Sequence, residues 1–212
     1  TEGGDLVVVD PNKKGSFIDV SKSANKTEIA ANTTIALPRY NGVPFFKYYG
    51  SDVENIRVCQ QGYIKIGTTA CSITGDMNIA SPINAIIPFG DPELTMGANS
   101  KIYYQIRGSA PNRMIIIQYK NMTRITDTNS SHNFEVVLQE GSNSIQFLYD
   151  LSYSVADSGQ KHLGLNALVG LSKQGAMPLL VSNAPNPAVE PRSAQIFRGT
   201  VISFKAPTGA GQ

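Results

Sequence analysis

The chain has 212 residues, of which 16% are charged and 41% hydrophobic, and 18 Lys and Arg against 16 Asp and Glu leave a net charge of +2. That length holds one large domain or two small ones around a sizeable core. The near-neutral balance excludes a nucleic-acid binder driven by a basic patch; low charge with ordinary apolar content excludes global disorder. No run approaches the roughly 18 apolar residues that a membrane-crossing helix needs.

Short alternating or β-branched runs recur between turn clusters along the chain. Leu6 to Asp10 reads as a strand ending at Pro11-Asn12, and Ser16 to Ser21 as a second. Ser21 to Thr34 is polar and poor in aromatics and reads as a loop, so residues 1–36 form an N-terminal extension of strands and loop joined to a main body at 37–205, with 206–212 a flexible tail. The runs NIRVCQ and GYIKIG follow, with Ile64 and Ile66 on one face and Lys65 on the other. KIYYQIR points Ile102, Tyr104 and Ile106 inward and Lys101, Gln105 and Arg107 outward. RMIIIQYKNM is apolar on both faces, as a central strand covered from both sides would be. NFEVVLQ and NSIQFLYDL make the clearest hairpin: Phe134, Val136 and Leu138 answer Ile145, Phe147 and Tyr149 across a turn at Glu140 to Asn143. Further strands are expected at Asn166 to Leu171, Met177 to Ser182, Ala194 to Phe197 and Val201 to Lys205. No window keeps apolar residues at helical spacing over three turns. The fold class is therefore all-β, a β-sandwich of two mainly antiparallel sheets, with Ile116, Val136, Leu138 and Phe147 expected between the sheets.

Two cysteines, Cys59 and Cys71, flank a strand-and-turn segment. They are expected to pair as a disulfide in an oxidising compartment, the alternative being two buried thiols in a reducing one. Their spacing fits neither a CxxC redox motif nor a zinc knuckle. The chain begins at Thr1, without an initiator Met, so either a signal segment has been removed or this is a piece of something longer. Four N-x-S/T sequons, at Asn25, Asn32, Asn121 and Asn129, permit glycosylation in a eukaryotic source.

An ordered series of cues runs through the middle of the chain: YNGVPFFKYYGSDVENIRVCQQGYIKIG, SPINAIIPFGD, SKIYYQIRGSAPNRMIIIQYKNM, HNFEVVLQEGSNSIQFLYDL, then NALVGLSKQGAMPLL with PRSAQIF. Over residues 37 to 204 this order resembles the nidogen-like class of extracellular β-sandwich modules and related bacterial and eukaryotic surface-protein modules. Gly90 stands where the class often has an aromatic, and Gln61 where it usually has Asn. The resemblance implies a module of a secreted or cell-surface protein that serves adhesion, matrix or scaffold building. The class has no assigned catalytic residues, so none is carried over. Independently of any family, Gly62 before Tyr63 supplies a tight turn that needs positive φ, and Gly141 sits where the hairpin turn needs it.

Chemistry-bearing residues are sparse. His132 and His162 both sit in polar stretches and read as solvent-exposed loop residues, and no G-x-S-x-G elbow frames a serine. Asp91 and Glu93 in GDPELT read as turn residues; with Asp127 they are weak candidates for a Ca²⁺ site of hard oxygens, although no D-x-D-x-D-G loop is present. Most of the nine tyrosines read as half-buried strand residues with the hydroxyl at an edge. Tyr40, Phe45, Phe46, Tyr48 and Tyr49, clustered around Gly42 and Pro44, form either a ligand platform for sugar or peptide, or a loop that plugs one end of the core. The plug is preferred because buried aromatics outnumber exposed platforms.

Three functions follow. The first is a non-enzymatic extracellular adhesive or structural module, without cofactors, whose partners are other subunits or surface proteins. The second is a carbohydrate-binding module resting on the aromatic cluster. The third is a secreted hydrolase whose site carries no recognisable motif. Leu6 to Asp10 is expected to pair with a sheet edge, in its own subunit or, by strand addition, in a neighbour's to give a homo-oligomer.

Overall fold

The computed structural model describes residues 17–150, 167–181 and 201–205. The strands expected at Leu6 to Asp10 and Ala194 to Phe197, His162, and the tail from 206 lie outside these residues. In chain order the strands are β1 (Thr27–Ile29), β2 (Thr33–Ala36), β3 (Arg39–Tyr40), β4 (Val43–Pro44), β5 (Phe46–Tyr48), β6 (Ser51–Val53), β7 (Asn55–Cys59) and β8 (Tyr63–Ile66). After the short helix α1 (Ile73–Asp76) come β9 (Ala85–Gly90), β10 (Leu94–Thr95), β11 (Lys101–Arg107), β12 (Met114–Arg124), β13 (Asp127–Gln139), β14 (Ile145–Tyr149), β15 (Leu168–Ser172), β16 (Leu179–Leu180) and β17 (Val201–Phe204).

Two antiparallel sheets carry the fold. The first runs β1-β11-β12-β13-β14-β17, with β10 also paired to β12, and the second runs β16-β15-β9-β8-β7-β2. β12 and β13 are the long central pair, and the expected hairpin keeps its register, with Phe134 opposite Tyr149, Val136 opposite Phe147 and Leu138 opposite Ile145. The polar stretch read as a loop is instead two edge strands. β1 pairs with β11 in the first sheet and β2 pairs with β7 in the second, so residues 27–36 close one side of the sandwich. Their polarity is that of edges half open to water.

The inter-sheet core contains Ile56, Ile64 and Ile86 from the second sheet and Ile102, Ile115, Ile117, Phe134, Val136, Leu138 and Phe147 from the first. Without Trp, tyrosines stitch the layers. The buried Tyr119 hydroxyl donates to the carbonyls of Cys59 and Tyr63 at 2.8 and 3.2 Å, and Tyr149 donates to that of Pro88 at 2.7 Å. Burial pushes both phenols well above their ordinary range. These rings are core residues, where edge positions were expected. Gly62 has φ +80°, and a Cβ there would lie 1.9 Å from the Phe89 carbonyl oxygen, so only glycine fits the β7–β8 turn. At Gly90 a Cβ would meet Ile87 Cγ2 at 2.7 Å and Met77 Sδ at 2.9 Å, so Met77 fills the space an aromatic would need.

Both outer faces are covered as well, and this corrects several expected orientations. Residues 17–23 lie across the first sheet: Ser16 to Ser21 was expected to be a strand, but Val20–Lys22 form a 3₁₀ turn whose start is capped by Asp19 accepting from Ser21 N–H. Val20, with Phe17 and Ile18 beside it, packs on Tyr103, Ile116, Val137, Leu148 and Val201. Ile116 is thus buried on the outer face, not between the sheets. Gln105, expected outward in water, is buried there too, while Ile106 is exposed. Over the second sheet, residues 71–83 place Cys71, Ile73, Met77, Ile79 and Ile83 against Cys59, Tyr63, Ala85, Ile87 and Leu168.

Candidate functional site

The aromatic segment folds into one end of the sandwich as two small hairpins, β3–β4 and β5–β6. Phe45 and Phe46 are fully buried and Tyr48 nearly so. The Tyr48 hydroxyl donates to the carbonyls of Ala85 and Ser172 at 2.9 and 2.8 Å. Tyr49 packs edge-on against the Tyr48 ring at 4.8 Å, with Lys173 Nζ 5.0 Å above its own ring. The Arg113 guanidinium lies 5.4 Å from the Phe45 ring and pairs with Glu140 at 2.7 and 2.8 Å. That pairing holds the Glu140 carboxyl below its usual range. Four of the five aromatics therefore plug the core, and Tyr40, 42% exposed, is left to face solvent. It stands opposite Val43, 59% exposed, across the β3–β4 ladder. Beside them Arg39 pairs with Glu54 and reaches Asp52 at 3.7 Å, and Lys47 reaches Asp52 at 3.5 Å. The result is a small apolar knuckle on a charged collar.

The cysteines form the Cys59–Cys71 disulfide, with Cα atoms 5.9 Å apart. Beside it is a polar cluster that alternation along β8 does not reveal. Lys65, read as facing solvent, is buried; its Nζ donates to Asp76 Oδ1 and to the Ala70 carbonyl, each at 2.9 Å. Asp76 Oδ2 accepts from the Tyr63 hydroxyl at 2.7 Å and from Ser72 N–H at 2.8 Å. Burial, then the Asp76 hydrogen bond, pushes the Tyr63 phenol up. Every polar atom of this cluster serves to hold the 67–76 segment onto β7 and β8. The signal that could have found it is an Asp five residues beyond a cysteine in a stretch that must fold back over its own strands.

Asp91, Glu93 and Asp127 do not assemble into a cation site. Arg124 Nε donates to Asp91 Oδ2 at 2.9 Å and its NH2 to Glu93 Oε2 at 2.5 Å, so a guanidinium occupies the place a cation would take. Asp127 is exposed and accepts from Asn129 N–H at 3.2 Å. Among the described residues no three His, Cys, Asp or Glu side chains gather as a metal group. His132, expected in a solvent-exposed loop, is buried within β13, its ring 5.2 Å from that of Phe89. Of the sequons, Asn25, Asn32 and Asn129 are exposed and Asn121 is half-buried; Asn32 and Asn121 adopt positive φ at 64° and 52°, and their side chains accept hydrogen bonds from Gln60 N–H and Ser131 Oγ.

In the comparison with known families, the model described as NIDO related matches residues 11–206. The chain belongs to the NIDO-related family. No curated protein and no solved structure matches it. The resemblance read from the ordered cues between residues 37 and 204 extends in the family match to residues 11–206. No helix among the described residues is long and apolar enough to cross a membrane.

Proposed function

We propose that this NIDO-related module is a non-enzymatic extracellular unit, adhesive or structural, of a cell-surface or matrix assembly. Family membership over residues 11–206 carries the reading. The disulfide supports an oxidising, extracellular setting. The arrangement of polar groups is in keeping with a structural role: Asp76 is committed to Lys65, Asp91 and Glu93 to Arg124, and Glu140 to Arg113. The partner class is protein, and the contact surface proposed is the Tyr40–Val43 knuckle, because exposed aromatic and branched residues ringed by charge are the usual centre of a protein contact. Leu6 to Asp10 is expected to cover an edge of its own sheet, with strand addition to a neighbour as the alternative that would make an assembly.

The test is binding of the secreted module to a panel of immobilised matrix and cell-surface proteins. Saturable binding that Tyr40→Ala with Val43→Ser weakens at least tenfold supports the reading. Binding only to a glycan array would overturn it in favour of a carbohydrate-binding module. Removing residues 1–15 checks assembly: an oligomer that becomes a stable monomer supports strand addition, and an unchanged oligomeric state argues against it.

A further inference from the structure

Residues 17–23 are held on the outer face of the first sheet by apolar packing and several hydrogen bonds, one of which goes to a buried carboxyl. Glu135, on β13, is completely excluded from solvent beneath the segment. Its Oε1 accepts from Ile18 N–H at 2.8 Å, and its Oε2 has no hydrogen-bond partner among the described residues. The segment makes further polar contacts with side chains of the sheet. Ser21 N–H donates to Gln118 Oε1 at 3.1 Å, Lys120 Nζ to Ser21 Oγ at 2.7 Å, and Gln105 Nε2 to Ser23 Oγ at 2.7 Å. Asp19 is the other carboxyl of the segment. Burial opposes its charge, but hydrogen bonds from Ser21 and Gln118 and the charges of Lys120 and Lys22 outweigh this and hold it below the usual range, so it stays ionised.

The charges acting on Glu135 come from three directions. Arg107 on β11 favours its ionised form, whereas Asp150 beyond β14 and Asp19 on the segment disfavour it. Burial is the largest influence and pushes the carboxyl up to about 8, outweighing the Ile18 N–H hydrogen bond, which by itself favours the charged form. A neutral carboxyl satisfies Ile18 N–H and tolerates a dry Oε2. A carboxylate in the same place lacks the water it needs, and lifting the segment is the simplest way to supply it.

We propose that the Phe17–Ser23 segment is a proton-dependent latch, closed on the sheet while Glu135 keeps its proton and loosened when that proton passes to solvent. The sign follows from linkage. Well below the ordinary carboxylate value of 4.5, Glu135 is protonated whether the latch is open or closed, so closure does not vary with pH. Between there and about 8 the open form releases the proton and the closed form keeps it, so closure weakens by up to tenfold per pH unit. Above that window both forms are ionised and the dependence ends. Opening uncovers the apolar strip of Tyr103, Ile116, Val137 and Leu148.

Hydrogen exchange of the intact chain tests this, with rates at pH 5.5, 7.0 and 8.5 each normalised to the intrinsic rate at that pH. The protection of residues 17–23 should fall more than tenfold from pH 5.5 to 8.5, while β8 and β12 stay protected throughout. In Glu135→Gln, which keeps the acceptor and cannot ionise, protection of the segment should be the same at all three pH values. A flat profile in the wild type, or a fall that survives in Glu135→Gln, overturns the latch. The carbon-13 shift of the Glu135 carboxyl in the wild type gives a variant-free check. A titration midpoint well above the ordinary carboxylate range supports the latch, and one within that range refutes it.

Discussion

The two outer faces of this sandwich are covered by opposite means. Over the second sheet the cover is local in sequence: residues 67–83 leave β8, fold back and return as β9, pinned by the Cys59–Cys71 disulfide and the Lys65–Asp76 ion pair. Over the first sheet the cover comes from far along the chain, since Ile18 and Glu135 are 117 residues apart, and no covalent bond secures it. One cover is held by a cross-link and a paired charge. The other is held by apolar packing, by hydrogen bonds to Gln118, Lys120 and Gln105, and by a carboxyl that favours docking when neutral. The two covers thus differ in permanence, and the movable cover is the one whose attachment depends on protonation.

Breaking the pinned cover should have the largest effect. Asp76→Ala strands the buried Lys65 ammonium without its partner, and removal of one member of a buried pair costs about 3–5 kcal/mol. Urea unfolding at pH 7 reads this, and a loss below about 1 kcal/mol would mean that Lys65 finds water when its partner goes. Removing the disulfide with Cys59→Ala and Cys71→Ala should cost about 3 kcal/mol, as expected for a closed loop of this size. Truncating Phe147 in the shared core stands apart as a control: Phe147→Ala should cost about 3–5 kcal/mol and weaken both covers together.

Glu140 sharpens the comparison because its titration has the opposite sign to that of Glu135. The Arg113 guanidinium holds the Glu140 carboxyl below its usual range, so its stabilisation is full above the ordinary carboxylate value and is lost as pH falls through the lowered one. Glu140→Gln should cost about 1.5–3 kcal/mol at neutral pH, the range for hydrogen bonds to charged groups. It should also flatten the acid limb of the stability profile; an unaltered acid limb would place that titration elsewhere. The smallest effect belongs to the movable cover. Val20→Ala removes about 1.5 kcal/mol of apolar burial from a segment that can open by itself. Exchange of residues 17–23 should speed up roughly tenfold, with little change in the urea midpoint. A midpoint that shifts by the full amount would show that the segment unfolds only with the rest.

The inter-sheet register was legible because period-two alternation reports one buried face. The β13–β14 hairpin, the doubly apolar β12 and the Gly62 turn all follow from it. Alternation is silent about a second burial on the outer face. Lys65 and Gln105 occupy the polar phase of their strands and read as facing outward, and Glu135 shares that phase on β13, yet each is buried by a segment lying outside its own strand. His132 was misplaced for a related reason, since a run of Ser, Thr and Asn before it looks like a loop but forms the start of β13. The aromatic segment was ambiguous in sequence because Phe45, Phe46 and Tyr48 are as suited to plugging a core as to meeting a ligand. Only the fold, which sends Tyr48 to the carbonyls of Ala85 and Ser172, separates the two. Edge strands β1 and β2 escaped notice because three or four half-exposed residues carry almost no hydrophobic signal.

The independence of the two covers is tested most directly by hydrogen exchange at pH 5.5 on the oxidised protein and on the Cys59→Ala, Cys71→Ala variant, following residues 17–23 and 70–79 in the same experiment. Loss of the cross-link should speed exchange in 70–79 and leave 17–23 as protected as before. Equal acceleration of both segments, or none in 70–79, would contradict the division between a pinned and a movable face.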